Sequence, residues 1–600
     1  MRLSRQEAMR PKKVSCERKA GCRENEATSP TAKGSLPEWD WAALAFVFLA
    51  ALTFAIYWKT FDFALINLDD AHYTTKNPLV NGGLSASAVW SAFTTVYDSF
   101  WIPVTWISYM ADVSLWDAIP GGFHRTNVIF AALNAGLFFL FLRYSTGSAA
   151  KSFFAALLFT VHPLRTESVA WITERKDVLA VFFFLLTLLS WVRYTKTERK
   201  VWLAAAFGLA LLGCMAKPVL IILPPVLLII DFWPLKRFPE GKWRESRKAI
   251  LKLAIEKWPF IALSIVFALL TLYTQQGAMP ESRGGVNRLL FGAANLPRAY
   301  LFYLWRTFWP SGLFMQASMP LDPLATALAA AGYLFIAATS FLAVKYAEKV
   351  PEFAFGWFWY LAALLPNSGI LPAGLQLFSD RFSYIPHMGV AVAFVWGADR
   401  LAARLNVHKT VRALTALVVA APLFWSSFVW AGYWKDSLTL FTQVDKDSGG
   451  KSAMAKNGIG QAKQSVGLPR EAALYYNRAF EIDPLYPDLA GRLIAAYLNS
   501  RDYDNALRVA NLVLADSPGD EGASIYAAKA MSAKGDGLGA TLKWIENYRR
   551  WPGNPEVLSA LSRYPNGLAG ALRFAGDELA SRGRPAEAER YYAEARKYGY

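Results

Sequence analysis

The stretch Asn67-Leu68-Asp69-Asp70-Ala71-His72-Tyr73 puts two adjacent carboxylates and an imidazole about ten residues beyond an apolar helix. A helix rises about 1.5 Å per residue and a spanning one ends near the headgroups, so Asp69 and Asp70 are expected just outside the hydrocarbon. A carboxylate there can take the proton of a weak nucleophile such as a hydroxyl. The same pair also suits the cap of a turn or short helix, where Asp is common.

A second set of ionisable groups recurs between apolar runs: His162, Arg165, Glu167, Glu174, Arg175, Lys176, Asp177, Lys217, Asp380 and Arg381. Ionisable groups at the edge of a bilayer are costly and are usually paired or functional. Arg175, Lys176, Lys217 and Arg381 are of the type that holds a phosphate, Arg in a two-pronged way. Each also suits an interfacial cation whose stem lies in lipid. Glu174 and Asp177, three apart at a helix start, also favour a helix N-terminus.

The elements that must position these groups follow from composition. Of 600 residues, 54% are hydrophobic, in repeated long runs that a soluble protein does not need. The net charge of +17 sits in short loops between those runs and not on a basic face with interleaved aromatics, which argues against nucleic-acid binding. Residues 1–38 read as a disordered, basic cytoplasmic tail without apolar periodicity. Cys16 and Cys22 lie in it without further metal ligands, and Cys214 lies in an apolar run, so no disulfide framework or zinc site is expected.

Spans are expected at 41–58, 127–144, 149–163, 177–194, 201–217, 218–234, 258–275, 323–345, 353–372, 383–400 and 411–432, eleven in all. Leu301 to Met315, interrupted by Arg306 and Pro310, reads as a re-entrant or interfacial helix. Basic loops at 193–200, 236–257, 345–349 and 400–412 orient the chain with its N-terminus in the cytoplasm. The loops at 61–125, 162–177, 217–218, 276–298 and 373–382 then share the outer side and bring the candidate residues together.

After Trp434 the pattern becomes that of a soluble helical array. Ala472, Ala506 and Ala540 are spaced by 34 residues, as are Pro484, Pro518 and Pro552. Each Ala suits a close helix contact and each Pro a position just past a helix end. Segments such as 471–484 resemble the tetratricopeptide repeat, with a last unit at 585–600. Such arrays form superhelices that bind peptides or proteins. The expected organisation is a tail at 1–38, a membrane unit at 39–434 and repeats at 435–600.

Several motifs together resemble the transmembrane and tetratricopeptide-repeat (TMTC) glycosyltransferases, in particular their bacterial branch. They are Leu68-Asp69-Asp70 with Asn77-Pro78, Pro103-Val104-Thr105-Trp106, Gly122-Phe123-His124-Arg125, His162-Pro163-Leu164-Arg165-Thr166-Glu167, Glu174-Arg175-Lys176-Asp177, Ala216-Lys217-Pro218 and Asp380-Arg381-Phe382-Ser383-Tyr384. Ile102 and Arg165 depart from the eukaryotic pattern, so mannose does not follow. The resemblance implies an all-α GT-C fold followed by the repeat solenoid, in a bacterial inner membrane with the repeats periplasmic. It implies a polyprenyl-phosphate-linked sugar as donor and a protein hydroxyl as acceptor, possible partners of the repeats being acceptor proteins. It favours Asp69 as catalytic base with Asp70 orienting it. The phosphate would fall to Arg175, Lys176, Lys217 and Arg381, with His72, His162, Arg165, Glu167, Glu174, Asp177 and Asp380 binding substrate or shaping the site.

Some GT-C enzymes use a divalent cation. Mn or Mg would find carboxylate and imidazole ligands in the two aspartates, His72 and Glu167, although no metal ligand is assigned. A base opposite the leaving phosphate would invert the anomeric centre. Two other classes fit parts of the sequence. A non-catalytic scaffold would use the repeats alone. A transporter would need ionisable groups near the midplane and repeated halves, and few such charges occur.

Overall fold

The computed structural model describes residues 38–239, 247–276, 288–313, 316–317, 323–368 and 376–599. The expected basic tail lies outside the described residues, apart from Glu38. Among the described residues the chain is all-helical except for a two-strand antiparallel ladder, Gln316–Ala317 with Gln376–Phe378.

Among the described residues, five helical stretches are long and apolar enough to cross a membrane. They are Trp41–Asp62, Pro120–Thr146, Ile172–Thr197, Ala327–Lys345 and Lys409–Tyr433. A sixth results if Arg247–Glu256 and Trp258–Thr274, bent by 58° at their junction, act as one span. The chain is therefore a multi-pass membrane protein. The expected count of eleven is not met by length and apolarity. Ala149–Val161, Lys200–Ala216 and Pro218–Phe232 are shorter apolar helices. Pro218 and Pro224 open a 3-10 turn and a helix of ten residues, because proline fits the first turn but not a helix interior. The segment expected as an outer loop at 276–298 is helical from Arg288, and that helix runs to Phe308 through Pro297, taking in most of the expected re-entrant segment.

The membrane core is close-packed where small residues allow it. A side chain at Gly136 would lie 2.3 Å from the Phe46 ring, so this glycine sets how near the first span comes to the second. Deep in the core, Asp231 accepts from Trp191 Nε1 (3.1 Å), Arg237 Nη1 (2.8 Å) and Lys257 Nζ (2.5 Å), and Arg237 also pairs with Glu256 (2.8 Å). This cluster ties together the far end of the Arg175–Thr197 helix, the Leu223–Phe232 helix and the bent pair.

Past Tyr433 come helix pairs: Ala453–Ser465 with Pro469–Ile482, Leu489–Asn499 with Tyr503–Asp516, Glu521–Lys534 with Gly537–Arg550, and Leu568–Ser581 with Pro585–Lys597. Ala472, Ala506 and Ala540 are all buried where partners approach. Pro484, Pro518 and Pro552 each fall two residues past a helix end, as the 34-residue period implies. The short helix Pro555–Leu561 is the insertion before the last pair. An extra helix, Ser437–Asp447, capped by Asp436 Oδ1 accepting from Thr439 N (2.8 Å), packs on the first pair.

Candidate functional site

The two adjacent aspartates have opposite environments. Asp70 opens a single helical turn, Asp70–Tyr73, and is fully buried. Its Oδ2 accepts from Ile66 N (2.8 Å), and its Oδ1 accepts from both the N–H (3.1 Å) and the hydroxyl (2.7 Å) of Thr173. Burial pushes its carboxyl up to about 6, against those hydrogen bonds, which favour the charged form. Asp69 precedes that turn and is exposed, and its carboxylate makes no hydrogen bond or ion pair among the described residues. Asp70 thus fastens the first loop to the motif loop and leaves Asp69 facing outward. His72 is exposed on the same turn.

Thr173 is followed by Glu174, and there the cations meet. The Glu174 carboxylate lies 3.2 Å from Lys176 Nζ, 3.4 Å from Lys217 Nζ and 3.1 Å from Arg381 Nε. Three elements remote in sequence supply them: the start of the Arg175–Thr197 helix, the turn after Ala216 and the 3-10 turn Asp380–Ser383. Lys217 also pairs with Asp177, and Arg381 with Glu167. Lys176 has no second carboxylate within ion-pair distance among the described residues. It sits instead over the rings of Tyr73 (4.7 Å) and Phe100 (5.8 Å). All three cations keep some exposure, 9% for Lys176, 16% for Lys217 and 11% for Arg381, while Glu174 is sealed at 1%.

Backbone anchors hold these elements in register. Thr105 Oγ1 donates to Ala216 O (2.9 Å), tying the first-loop helix Pro103–Trp116 to the Lys217 turn. Tyr109 OH donates to Ile172 O (2.8 Å). Tyr303 OH donates to Ser379 O (2.9 Å) and accepts from Ser379 N (2.8 Å), fixing the turn that carries Arg381. Glu167 accepts from Ser379 Oγ (2.6 Å) and Arg381 N (3.0 Å). Asp380 beside it is buried, and burial raises its carboxyl.

The remaining expected residues have other surroundings. Arg175 is completely buried and its guanidinium is engaged by Asp112 Oδ2 (2.6 Å), Phe123 O (2.7 Å) and Asn127. It faces away from the Glu174 cluster, stapling the first loop to the second span. Arg165 donates to Ser383 Oγ (2.8 Å) and lies over Phe159 and Tyr384, while its Nε and Nη1 have no partner among the described residues. The His162 ring meets His387 at 4.4 Å, and its Nε2 lies 2.9 Å from Thr307 O. Among the described residues no three His, Cys, Asp or Glu side chains are arranged to hold a metal ion. Glu167 is engaged with Arg381 while His72 points outward, so the residues do not fit the divalent cation considered from sequence.

Sequence reading passed over Asp98, Asp112 and Thr173. Asp98 sits with Ser99 in a two-residue turn, both at positive φ (52° and 62°), closed by Tyr97 and Phe100 exchanging N–H···O bonds of 3.1 and 2.9 Å. Burial and the neighbouring Asp69 raise its carboxyl, against His72 and Lys176. No spacing rule flags it. An Asp-Ser pair in a left-handed turn was the available signal.

The comparisons agree with the motifs. No family model matches the chain. A protein O-mannosyl-transferase of Caenorhabditis elegans (F38B6.6) is 22% identical over 441 residues, which is 70% of this chain and 60% of that protein. Human TMTC2 is 35% identical over 96 residues, covering 16% of this chain and 12% of the relative. Human TMTC1 is 33% identical over 143 residues, covering 21% and 15%. This chain is a distant relative of the protein O-mannosyl-transferases. It spans at most 60% of the length of these three relatives. A crystal structure of an Archaeoglobus fulgidus oligosaccharyltransferase aligns with 75% of this chain and 60% of its own, at 11% identity and a TM-score of 0.35, too loosely to carry an argument.

Proposed function

We propose that this protein is a GT-C-type membrane glycosyltransferase that moves a sugar from a polyprenyl-phosphate donor to a Ser or Thr hydroxyl of a protein. One observation carries the reading. The exposed Asp69 is one residue from Asp70, Asp70 is bonded to Thr173, and Thr173 is one residue from the carboxylate on which three cations converge. A base and a phosphate-binding cluster are thereby clamped side by side.

In the reaction, Asp69 takes the proton of the acceptor hydroxyl as its oxygen forms a bond to the anomeric carbon. The bond from that carbon to the phosphate oxygen breaks, and its electron pair leaves with the polyprenyl phosphate. Lys176, Lys217 and Arg381 stabilise the departing charge. A base and a leaving group on opposite faces invert the anomeric centre. Arg175 is left out of phosphate binding because Asp112 and two further acceptors occupy its donors. We place this face outside the cytoplasm, and the repeats with it in a bacterial periplasm; the bias of Lys and Arg to the other set of loops supports that orientation.

The test is glycan mass spectrometry of envelope proteins from cells carrying wild type or Asp69→Asn. Loss of glycan in the variant, with the protein still folded and in the membrane, is expected. Unchanged glycan would sink the enzyme and leave a scaffold acting through its repeats.

A further inference from the structure

The donor has a tail as well as a head, and the surface beside Lys217 has a place for one. A largely apolar groove is walled by Phe100, Trp101, Ile102, Pro218, Phe267 and Leu270, with Thr271, Thr274 and Gln275 also in its lining. Its floor comes from the chain entering the Pro103–Trp116 helix, and its outer wall from the Trp258–Thr274 helix. Trp101 and Phe267 pack at 6.0 Å between ring centroids. The one polar atom of the Trp101 ring is satisfied, Nε1 donating to Phe93 O at 2.9 Å, so the ring presents carbon to the groove. The outer wall is continuous with a lipid-facing surface: Leu269 and Tyr273 on the same helix are 62% and 70% exposed.

Two cations neighbour this groove. Lys217 directly precedes Pro218, and the Lys176 ammonium lies 5.8 Å from the centre of the Phe100 ring. Both ammoniums share the Glu174 carboxylate. A largely apolar groove open to lipid, with the Lys176 ammonium near its Phe100 wall and Lys217 next in the chain to its Pro218 wall, complements an amphiphile with an anionic head. On the other side of the Lys217 turn, a second recess is bordered by Val181, Val219, Phe382 and Tyr384, but Asp177 and Arg381 are in its walls. A carboxylate there penalises a hydrocarbon tail.

We infer that the groove at Phe100–Ile102 and Phe267–Leu270 holds the isoprenoid chain of the donor, with its phosphate at Lys176 and Lys217. The inference rests on the reading of the chain as a polyprenyl-phosphate-dependent transferase. It adds that chain length is read by this groove and not by the recess at Arg381. Leu270→Trp and Thr271→Trp narrow the groove without touching the Glu174 cluster.

The experiment uses the full chain in nanodiscs with a long-chain and a short-chain polyprenyl-phosphate sugar. Each Trp variant is expected to raise KM for the long-chain donor about tenfold or more, and to leave kcat and the short-chain KM near wild type. Lys176→Ala is expected to raise KM for both donors. Equal effects of the Trp variants on both donors, or none, would overturn the groove assignment. Direct labelling separates this from the enzyme reading. A polyprenyl phosphate bearing a photoreactive group in its tail should mark Phe267 to Leu270 even if no transfer is detected. Labelling at Val181 or Phe382 instead would move the tail to the other recess and refute the proposal.

Discussion

At the scale of single residues, Asp69 and Asp70 are the same side chain with different surroundings. Two partners separate them: Ile66 N, four residues before Asp70, and Thr173, 103 residues after it. The sequence therefore picked out the pair, and only the folded chain separates an exposed acid from an anchored one. Asp69→Asn should lower kcat by about 10²–10⁴-fold, the usual contribution of a general base, with the thermal midpoint unchanged. Asp70→Asn should act on stability. An amide can accept at one oxygen only, so Ile66 N–H would face an N–H, at a cost of about 1–3 kcal/mol read by thermal unfolding in detergent. The pH dependence follows from the same site. Burial pushes the Asp70 carboxyl up to about 6 in the folded state against an ordinary 3.8, so the folded state holds its proton longer than the unfolded one. That contribution to stability is complete below pH about 4 and is lost as pH rises through about 6. The Asp70→Asn variant should lack this decline.

At the scale of elements, the motif loop 162–177 was recognisable from its residues, and so was the grouping of Lys217 with Arg381, which the structure brings to one carboxylate. Which cation does what was not recognisable, because the partners come from elements far apart in the chain. Arg175 and Lys176 are neighbours in sequence, yet helical geometry turns one toward Asp112 and the other toward Glu174 and two aromatic rings. The repeats were legible to the residue, since their 34-residue period is a packing repeat. The expected spans include short and proline-broken helices, and among the described residues five or six are long and apolar enough to cross by themselves. Glu174 is the element-scale test. Glu174→Gln leaves three cations sharing less negative charge and Lys176 with no carboxylate within ion-pair distance among the described residues. Breaking a buried pair typically costs about 3–5 kcal/mol, so a clear drop in thermal midpoint is expected. Added polyprenyl phosphate should restore more of that midpoint in the variant than it adds to wild type, by binding only the folded form. Equal shifts in both proteins would dissociate the cations from phosphate binding.

At the scale of the whole molecule, the repeat side packs against the loops that carry the candidate residues. One apolar cluster joins the first loop (Phe63, Ile66), the motif loop (Ala170, Trp171) and the repeat side (Trp434, Leu440, Phe441, Val444, Met454, Ile459). Trp171 stacks on Trp434 at 5.7 Å and 27°, and on Trp171 rests the Arg381 guanidinium at 5.3 Å. Asn67 N donates to Ser437 Oγ (2.8 Å) and Ala64 N to Lys435 O (3.0 Å), so the segment leading to Asp69 is pinned from the repeat side as well. A tethered module would change only how the acceptor is gathered. A clamp of this kind sets where Asp69 and Arg381 stand, and its loss should appear in the chemical step even for a short peptide that never reaches the repeats. Trp434→Ala in the full chain should therefore lower kcat for such a peptide about tenfold or more while leaving its KM near wild type. Trp434→Phe, which keeps an aromatic face against Trp171, should recover most of the rate. An unchanged kcat with a raised acceptor KM would mean that the repeats only recruit, and that Asp69 keeps its position without them.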